Sequence, residues 1–137
     1  MPSGKAGPSP GMSISRSSSL DSLTLRKMID YAETAIRWAN EVGSDWAEQE
    51  QVRAAVAMYV GQVGEIINHE IPLDEQVANY ELFGELGGFR NRIYHHYYRD
   101  FRVDVLVATV GDELPEKVVR WKATLAAIEA TESSRDA

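Results

Sequence analysis

Apolar residues that recur at helical spacing are the feature that most constrains how this chain can fold. Between Leu25 and Ala39 they lie three and four residues apart over four turns, which is typical of one face of an amphipathic α-helix. The members of this stripe are Leu25, Met28, Ile29, Ala32, Ala35, Ile36 and Ala39. Polar residues at 21–24 are N-cap candidates, and Gly43 is the candidate stop. The pattern therefore predicts a first helix that ends at Gly43.

The same periodicity predicts a second and a last helix. The second is expected to begin at Ser44 or Asp45, because Asp45 and Glu48 have capping-box spacing, and to run towards Pro72. Its core stripe is Val52, Val56, Tyr59, Val63, Ile66 and Ile67. The last helix has Pro115 at its first position. Its stripe is Leu114, Val118, Trp121, Leu125 and Ile128.

Two shorter segments lie between these helices. Residues 73–86 predict a short helix with Val77, Tyr80 and Phe83 facing inward. Residues 103–110, VDVLVATV, are rich in β-branched residues and equally describe a strand. We interpret them as a helix, since a lone strand would have no partner for its backbone groups.

These elements predict an all-α protein, an up-and-down bundle of about five helices at residues 21–130. Residues 1–19 contain seven serines, three prolines and three glycines, a composition too poor in apolar groups to offset the entropy of ordering. We therefore expect a disordered tail at residues 1–20. The polar end at residues 131–137 is expected to be frayed.

Composition limits the class of protein. The 137 residues are 44% hydrophobic and include no cysteine, which excludes disulfides and thiolate metal sites. No run is long and apolar enough for a membrane span, so we expect a cytoplasmic protein with no membrane partner. A formal net charge of −7 argues against broad electrostatic capture of nucleic acid.

The chemistry is concentrated at residues 87–100, GGFRNRIYHHYYRD. The two glycines would end one helix, and a new helix is predicted from Phe89 through Arg102. A basic cluster of four arginines falls within thirteen residues, opposed in that stretch by Asp100 alone. Its members are Arg90, Arg92, Arg99 and Arg102. A stripe this polar and aromatic is typical of a site rather than of a core.

Four residues of this stretch stand in the order R-N-x-x-x-H-x-Y, namely Arg90, Asn91, His95 and Tyr97. This resembles the R-x4-6-H signature of HEPN-domain proteins and, with its asparagine and tyrosine, the HepT-like toxin branch. Two other segments resemble the same family. They are residues 63–65, VGE, similar to its I-G-E-A segment, and residues 112–115, DELP, similar to its D-L-P turn.

The resemblance implies a HEPN-like bundle that acts as a homodimeric, metal-independent endoribonuclease without a cofactor. Arg90 and His95 would be catalytic. A cognate nucleotidyltransferase antitoxin of the MNT type would hold the toxin in check by AMPylating Tyr97. The RNA substrate would be a tRNA or an mRNA.

The residue types fit this chemistry. A histidine accepts or donates a proton near neutral pH, and an arginine holds a phosphate and stabilises the charge that builds on it. On an ideal helix Asn91 and His95 are one turn apart, so that the amide would fix the imidazole tautomer. The remaining candidates are Tyr97 and Glu65 as supporting residues, and Arg92, Arg99 and Tyr98 as contacts to RNA phosphates and bases.

On that same ideal helix, Arg90 and His95 would lie about 140° apart. One helix would therefore not make the site, and either Arg90 swings across or two subunits share it. His96 has no role in the motif and is interpreted as solvated. Two other hypotheses stay open: an inactive HEPN module that binds nucleotide or RNA, and a structural dimeric bundle in which Arg90 and Glu65 form a buried polar seam.

Overall fold

The structure, a computed structural model, describes residues 20–95 and 100–136, with residues 94, 95, 100, 101 and 136 described through their backbone alone. The predicted tail at residues 1–19 lies outside the described residues. Leu20, which we placed at the end of that tail, is buried and belongs to the hydrophobic core. Leu20 therefore belongs to the bundle rather than to the predicted tail.

The described residues form an all-α bundle, as predicted. Its helices are α1 (Ser22–Val42), α2 (Glu50–Glu70), α3 (Leu73–Ala78), α4 (Tyr80–Phe83), α5 (Phe89–Ile93), α6 (Val103–Ala108) and α7 (Leu114–Asp136). Short 3-10 turns occupy Trp46–Glu48 and Leu86–Gly88, and a π-helical turn occupies Thr109–Glu113. Two-residue strands, β1 (Tyr94–His95) and β2 (Asp100–Phe101), pair antiparallel. Within residues 20–95 and 100–136, none of the helices has the length and apolar character that crossing a bilayer requires.

Helix α1 packs against both α2 and α7. The Asp21 side chain caps it by accepting from the backbone N–H of Thr24 at 2.8 Å, and this bond holds the pKa of Asp21 below its ordinary value. The helix ends at Gly43, whose φ of 112° favours glycine. Both predicted ends of the first helix are confirmed.

Helix α2 begins later than predicted, at Glu50 rather than at Ser44 or Asp45. Trp46 and Ala47 are buried, and the chain forms a 3-10 turn there before the helix starts. Burial of these two side chains therefore outweighs the capping-box pattern. The predicted end before Pro72 is confirmed.

The predicted helix at residues 103–110 is confirmed, but Pro115 does not begin the last helix. α6, the π-helical turn and α7 form one continuous helical run. Proline has no N–H to donate to the carbonyl four residues earlier, and the widened turn precedes it directly, with the N–H of Leu114 reaching the carbonyl of Thr109. The last turns of α7, at the end predicted to be frayed, are helical and exposed through residue 135.

Helix α3 and the start of α4 are oriented differently from the prediction. Val77 and Tyr80, expected to face inward, are 68% and 53% exposed, whereas the prediction for Phe83 is confirmed by its complete burial. The polar Gln76 and Asn79 are buried in their place. Gln76 donates to the carbonyl of Ile71 at 2.9 Å, a bond that turns the polar side of α3 inward.

Candidate functional site

Helix α5 carries the start of the motif and is much shorter than predicted. It begins at Phe89 as expected but ends at Ile93, where the N–H of Arg102 donates to the Ile93 carbonyl at 2.7 Å and closes a hairpin. His95 lies on β1, opposite Asp100. The run IYHHYY combines β-branched and aromatic residues, which favour extended backbone over helix.

The prediction of one helix from Phe89 to Arg102 is therefore wrong. His95 does not follow Asn91 by one helical turn, and Asn91 is exposed on α5. The angle of about 140° between Arg90 and His95 holds only if both residues lie on one ideal helix, so it does not apply here. A shared site between two subunits no longer follows from helix geometry.

Arg90 extends from α5 across α2. Its Nη1 lies 3.7 Å from Oε2 of Glu65, and its Nε lies 3.0 Å from the position that a Cβ on Gly61 would occupy. The two charged side chains are 51% and 54% exposed. The pair that we considered as a buried seam thus exists at the surface, where water and ligands reach it.

Gly64 brings α5 close to α2. A Cβ at this position would lie 2.5 Å from the backbone oxygen of Leu86 and 3.8 Å from Cβ of Phe89. Phe89 and Ile93 are completely or almost completely buried and fix α5 on the core. The two glycines of α2 thus let Arg90 and the segment from Leu86 to Phe89 lie directly on this helix.

Arg92 points to a second set of carboxylates. It donates to the backbone oxygen of Glu85 at 3.1 Å, and it lies 3.8 Å from the Glu85 carboxylate and 3.7 Å from that of Glu113. Glu113, on the π-helical turn, also accepts from the N–H of Glu85 at 3.0 Å. Sequence reasoning assigned no role to either glutamate, although Glu113 lies inside the matched segment 112–115.

The Glu113 carboxylate takes the space beside Gly84. Gly84 has a φ of 52°, and a Cβ there would collide with Oε2 of Glu113. Glycine satisfies both requirements because it tolerates this φ and has no Cβ. The loop between α4 and α5 is thereby held on the π-helical turn.

Arg102 forms a bidentate pair with Asp104, with Nε to Oδ1 at 3.0 Å and Nη2 to Oδ2 at 2.8 Å. These bonds hold the pKa of Asp104 below its ordinary value and raise that of Arg102. Every described arginine of the basic cluster therefore has a carboxylate partner. Asp100 is the one acid inside the stretch 90–102, and the carboxylates that pair with these arginines come from outside it: from α2, from the α4–α5 loop, from α6 and from the π-helical turn.

Several predicted site residues take no part in the contacts given above. Tyr97, Tyr98 and Arg99 lie outside the described residues, as does His96. For His95 the structure gives the backbone on β1. The described geometry of the site thus consists of Arg90 and its neighbours on α2, α5 and the π-helical turn.

The three segments that carry the HEPN resemblance meet at α5. Glu65, from the first segment, pairs with Arg90, and Glu113, from the third, pairs with Arg92. Comparisons of the chain with protein-family models, curated proteins and solved structures return no match.

Proposed function

We propose that this protein is a HEPN-type endoribonuclease related to the HepT-like toxins, with Arg90 and His95 as its catalytic residues. The observation that carries the proposal is the convergence of the three matched segments on α5. Glu65 and Arg90 are 25 positions apart in sequence, and their charged groups lie 3.7 Å apart. Two residues from separate matched segments are thus neighbours in the fold.

Arg90 is suited to exchange its carboxylate partner for a phosphate. An exposed ion pair such as Arg90–Glu65 contributes about 0–1 kcal/mol to stability, so little is lost when the guanidinium changes partner. A phosphate oxygen offers the guanidinium a charge-assisted bidentate contact, which is stronger than a pair at 3.7 Å. Arg90 therefore exchanges Glu65 for a phosphodiester of the substrate.

The reaction is an intramolecular transesterification. His95 removes the proton of a ribose 2′-hydroxyl, and the oxygen attacks the adjacent phosphorus while Arg90 stabilises the added negative charge. The bond from phosphorus to the 5′-oxygen of the next nucleotide breaks, and this oxygen takes up the proton that His95 removed, which restores the neutral imidazole. The products are a 2′,3′-cyclic phosphate and a 5′-hydroxyl. Asn91 and Tyr97 support the site, and Arg99 and Tyr98 contact the RNA.

The resemblance supplies the remaining parts of the proposal. The protein acts as a homodimer in the cytoplasm on a tRNA or mRNA substrate, and an MNT-type nucleotidyltransferase antitoxin neutralises it. Transfer of AMP to Tyr97 adds a phosphodiester charge to the motif and blocks RNA by competition. Arg92, already shared by Glu85 and Glu113, contributes to RNA binding through its charge rather than by direct contact.

A structural or binding module is the second candidate. Carboxylates pair with Arg90, Arg92 and Arg102, and this observation favours the second candidate. Such ion pairs also occur in proteins in which the arginines have no catalytic role. An inactive HEPN protein would bind RNA and release it uncut. A structural bundle would not bind RNA at all.

Incubation of the protein with RNA in the presence of EDTA distinguishes these functions. We expect cleavage by the wild type and a loss of about 10²-fold or more in the Arg90→Ala and His95→Ala variants. Arg37→Ala is the matched control for Arg90, since Arg37 is also an exposed arginine paired with a glutamate, and His69→Ala is the control for His95. Cleavage that survives in Arg90→Ala and His95→Ala would exclude the proposed site. Binding without cleavage by the wild type would favour the inactive module.

A further inference from the structure

Helix α3 is amphipathic with its apolar side turned outward. Leu73 and Val77 lie one turn apart and are 72% and 68% exposed, and Tyr80 at the start of α4 is 53% exposed. We call these three residues the α3 stripe. Gln76 and Asn79, on the other side, are each 7% exposed. A helix that only had to cover the core would show the opposite pattern.

This orientation is fixed by hydrogen bonds on the buried side. Gln76 donates to the carbonyl of Ile71 at 2.9 Å and to the side-chain oxygen of Asn68 at 3.2 Å. Asn79 donates to the carbonyl of Glu75 at 2.9 Å. Rotating the helix to bury the stripe would break the two Gln76 bonds and leave a buried amide unpaired, which is costly. The stripe is therefore a persistent surface feature.

The surroundings of the stripe are acidic. The sequence between Arg53 and Arg90 contains six glutamates and aspartates and no lysine or arginine. Among the acids of α3 and α4, Asp74 forms no ion pair with any residue in the described ranges, and the charge of Glu81 acts on Arg120, whose main partner is Glu116. Lys117 and Arg92 are the cations whose charges reach Tyr80 among the described residues, but Lys117 is buried and bonded to Glu116 at 2.9 Å, and Arg92 is paired with Glu85 and Glu113.

From this combination we infer that the α3 stripe is a docking surface for a basic amphipathic helix of a partner protein. Apolar residues on one side of that helix contact Leu73, Val77 and Tyr80, and lysines or arginines flanking them pair with Asp74 and Glu81. The negative charge around the α3 stripe favours a basic helix over other binding partners. A second copy of the chain would oppose one acidic rim with another, and RNA or an anionic membrane surface would be repelled. The surface uses none of the residues proposed for catalysis, although Tyr80 donates to Glu85, a partner of Arg92.

A synthetic peptide serves as the probe. Its leucines are patterned to form one helical face and its other positions are lysines, and a matched peptide carries glutamates in place of the lysines. Titration of the full chain into each labelled peptide, followed by fluorescence anisotropy, is expected to give saturable binding of the lysine peptide alone, weakened by salt.

Variants locate the binding surface. Leu73→Ser and Val77→Ser are each expected to weaken binding by about tenfold or more, since each removes an apolar contact. Leu23→Ser and Val119→Ser are matched controls, because both residues are exposed aliphatic side chains on other helices, and they should change binding less than about twofold. Asp74→Asn with Glu81→Gln should lower the affinity and flatten its salt dependence.

Three results would overturn the inference. Absence of saturable binding is the first, and an equal loss of binding in the control variants, which would mean non-specific attraction to an acidic protein, is the second. The third is sedimentation of the free wild type as a dimer that Val77→Ser dissociates, since the occupant would then be a second copy. Circular dichroism of each variant verifies that the bundle is intact.

Discussion

The guanidinium of Arg90 lies on α2 at Gly61, and its Nη1 is 3.7 Å from the carboxylate of Glu65. The absence of a Cβ at position 61 leaves the space in which Nε of Arg90 lies. Glycine inside a helix costs about 1 kcal/mol relative to alanine. This unfavourable glycine stands at the position where the side chain of Arg90 crosses α2.

Gly61→Ala is expected to separate stability from activity. A Cβ would lie 3.0 Å from Nε of Arg90, and the flexible arginine is the part that moves. Helix propensity should raise the free energy of unfolding by up to about 1 kcal/mol, while RNA cleavage falls about tenfold or more because the guanidinium is displaced. Thermal unfolding and a cleavage assay measure the two effects. Cleavage at the wild-type rate would mean that Arg90 need not occupy this position.

Gly64→Ala, one turn away on the same helix, is expected to destabilise the protein instead. The added Cβ would lie 2.5 Å from the backbone oxygen of Leu86, which cannot move without shifting the 3-10 turn at Leu86–Gly88. The overpacking should cost about 1–3 kcal/mol and outweigh the gain in helix propensity. Denaturant unfolding of the two alanine variants side by side checks this. A Gly64→Ala protein as stable as Gly61→Ala would show that the α2–α5 contact is looser than described.

Glu113→Ala should loosen the α4–α5 loop. The carboxylate accepts from the N–H of Glu85 at 3.0 Å and pairs with Arg92, and hydrogen bonds to charged groups contribute about 1.5–3 kcal/mol. We expect a loss of stability near the lower end of that range, since 24% of the side chain is exposed. Glu41→Ala, which removes the exposed partner of Arg37, is the control and should change stability little. Equal effects of the two substitutions on stability would mean that Glu113 does not anchor the α4–α5 loop.

Asp104 gives a prediction about pH. Hydrogen bonds from Arg102 hold the pKa of its carboxyl below the ordinary value of 3.8. A pKa lowered in the folded state contributes stability that is present above the unfolded value and is lost as the pH falls through the folded value. Carboxyl titration by NMR should therefore give a pKa below 3.8 that rises in Arg102→Ala. An Asp104 pKa that is the same in both proteins would mean that the pair is absent in solution.

The sequence predicted those parts of the fold that depend on local patterns. The ends of α1 and the helix at residues 103–108 were correct, because capping residues, glycine and helical spacing act within a few residues. Phe83 and Trp121 were correctly placed in the core. The all-α class followed from these elements together.

The predictions were wrong where contacts between different elements of the fold determine the structure. The outward orientation of Val77 depends on hydrogen bonds that Gln76 makes to Asn68 and Ile71, and helical spacing cannot reveal them. The end of α5 at Ile93 depends on strand pairing with residues 100–101, which competes with the helix. The pairing of the arginines depends on acids from other elements. Arg90 and Glu65 were identified as candidates, but their contact required the structure.

The most direct test of the central claim is analysis of the RNA ends that the wild-type protein produces in EDTA. If Arg90 and His95 carry out the transesterification, each cut leaves a 2′,3′-cyclic phosphate and a 5′-hydroxyl, and these ends are absent from reactions with Arg90→Ala. Ends with a 3′-hydroxyl and a 5′-phosphate, cyclic phosphate ends that persist at the wild-type rate in Arg90→Ala, or intact RNA after incubation with the wild type would contradict the account.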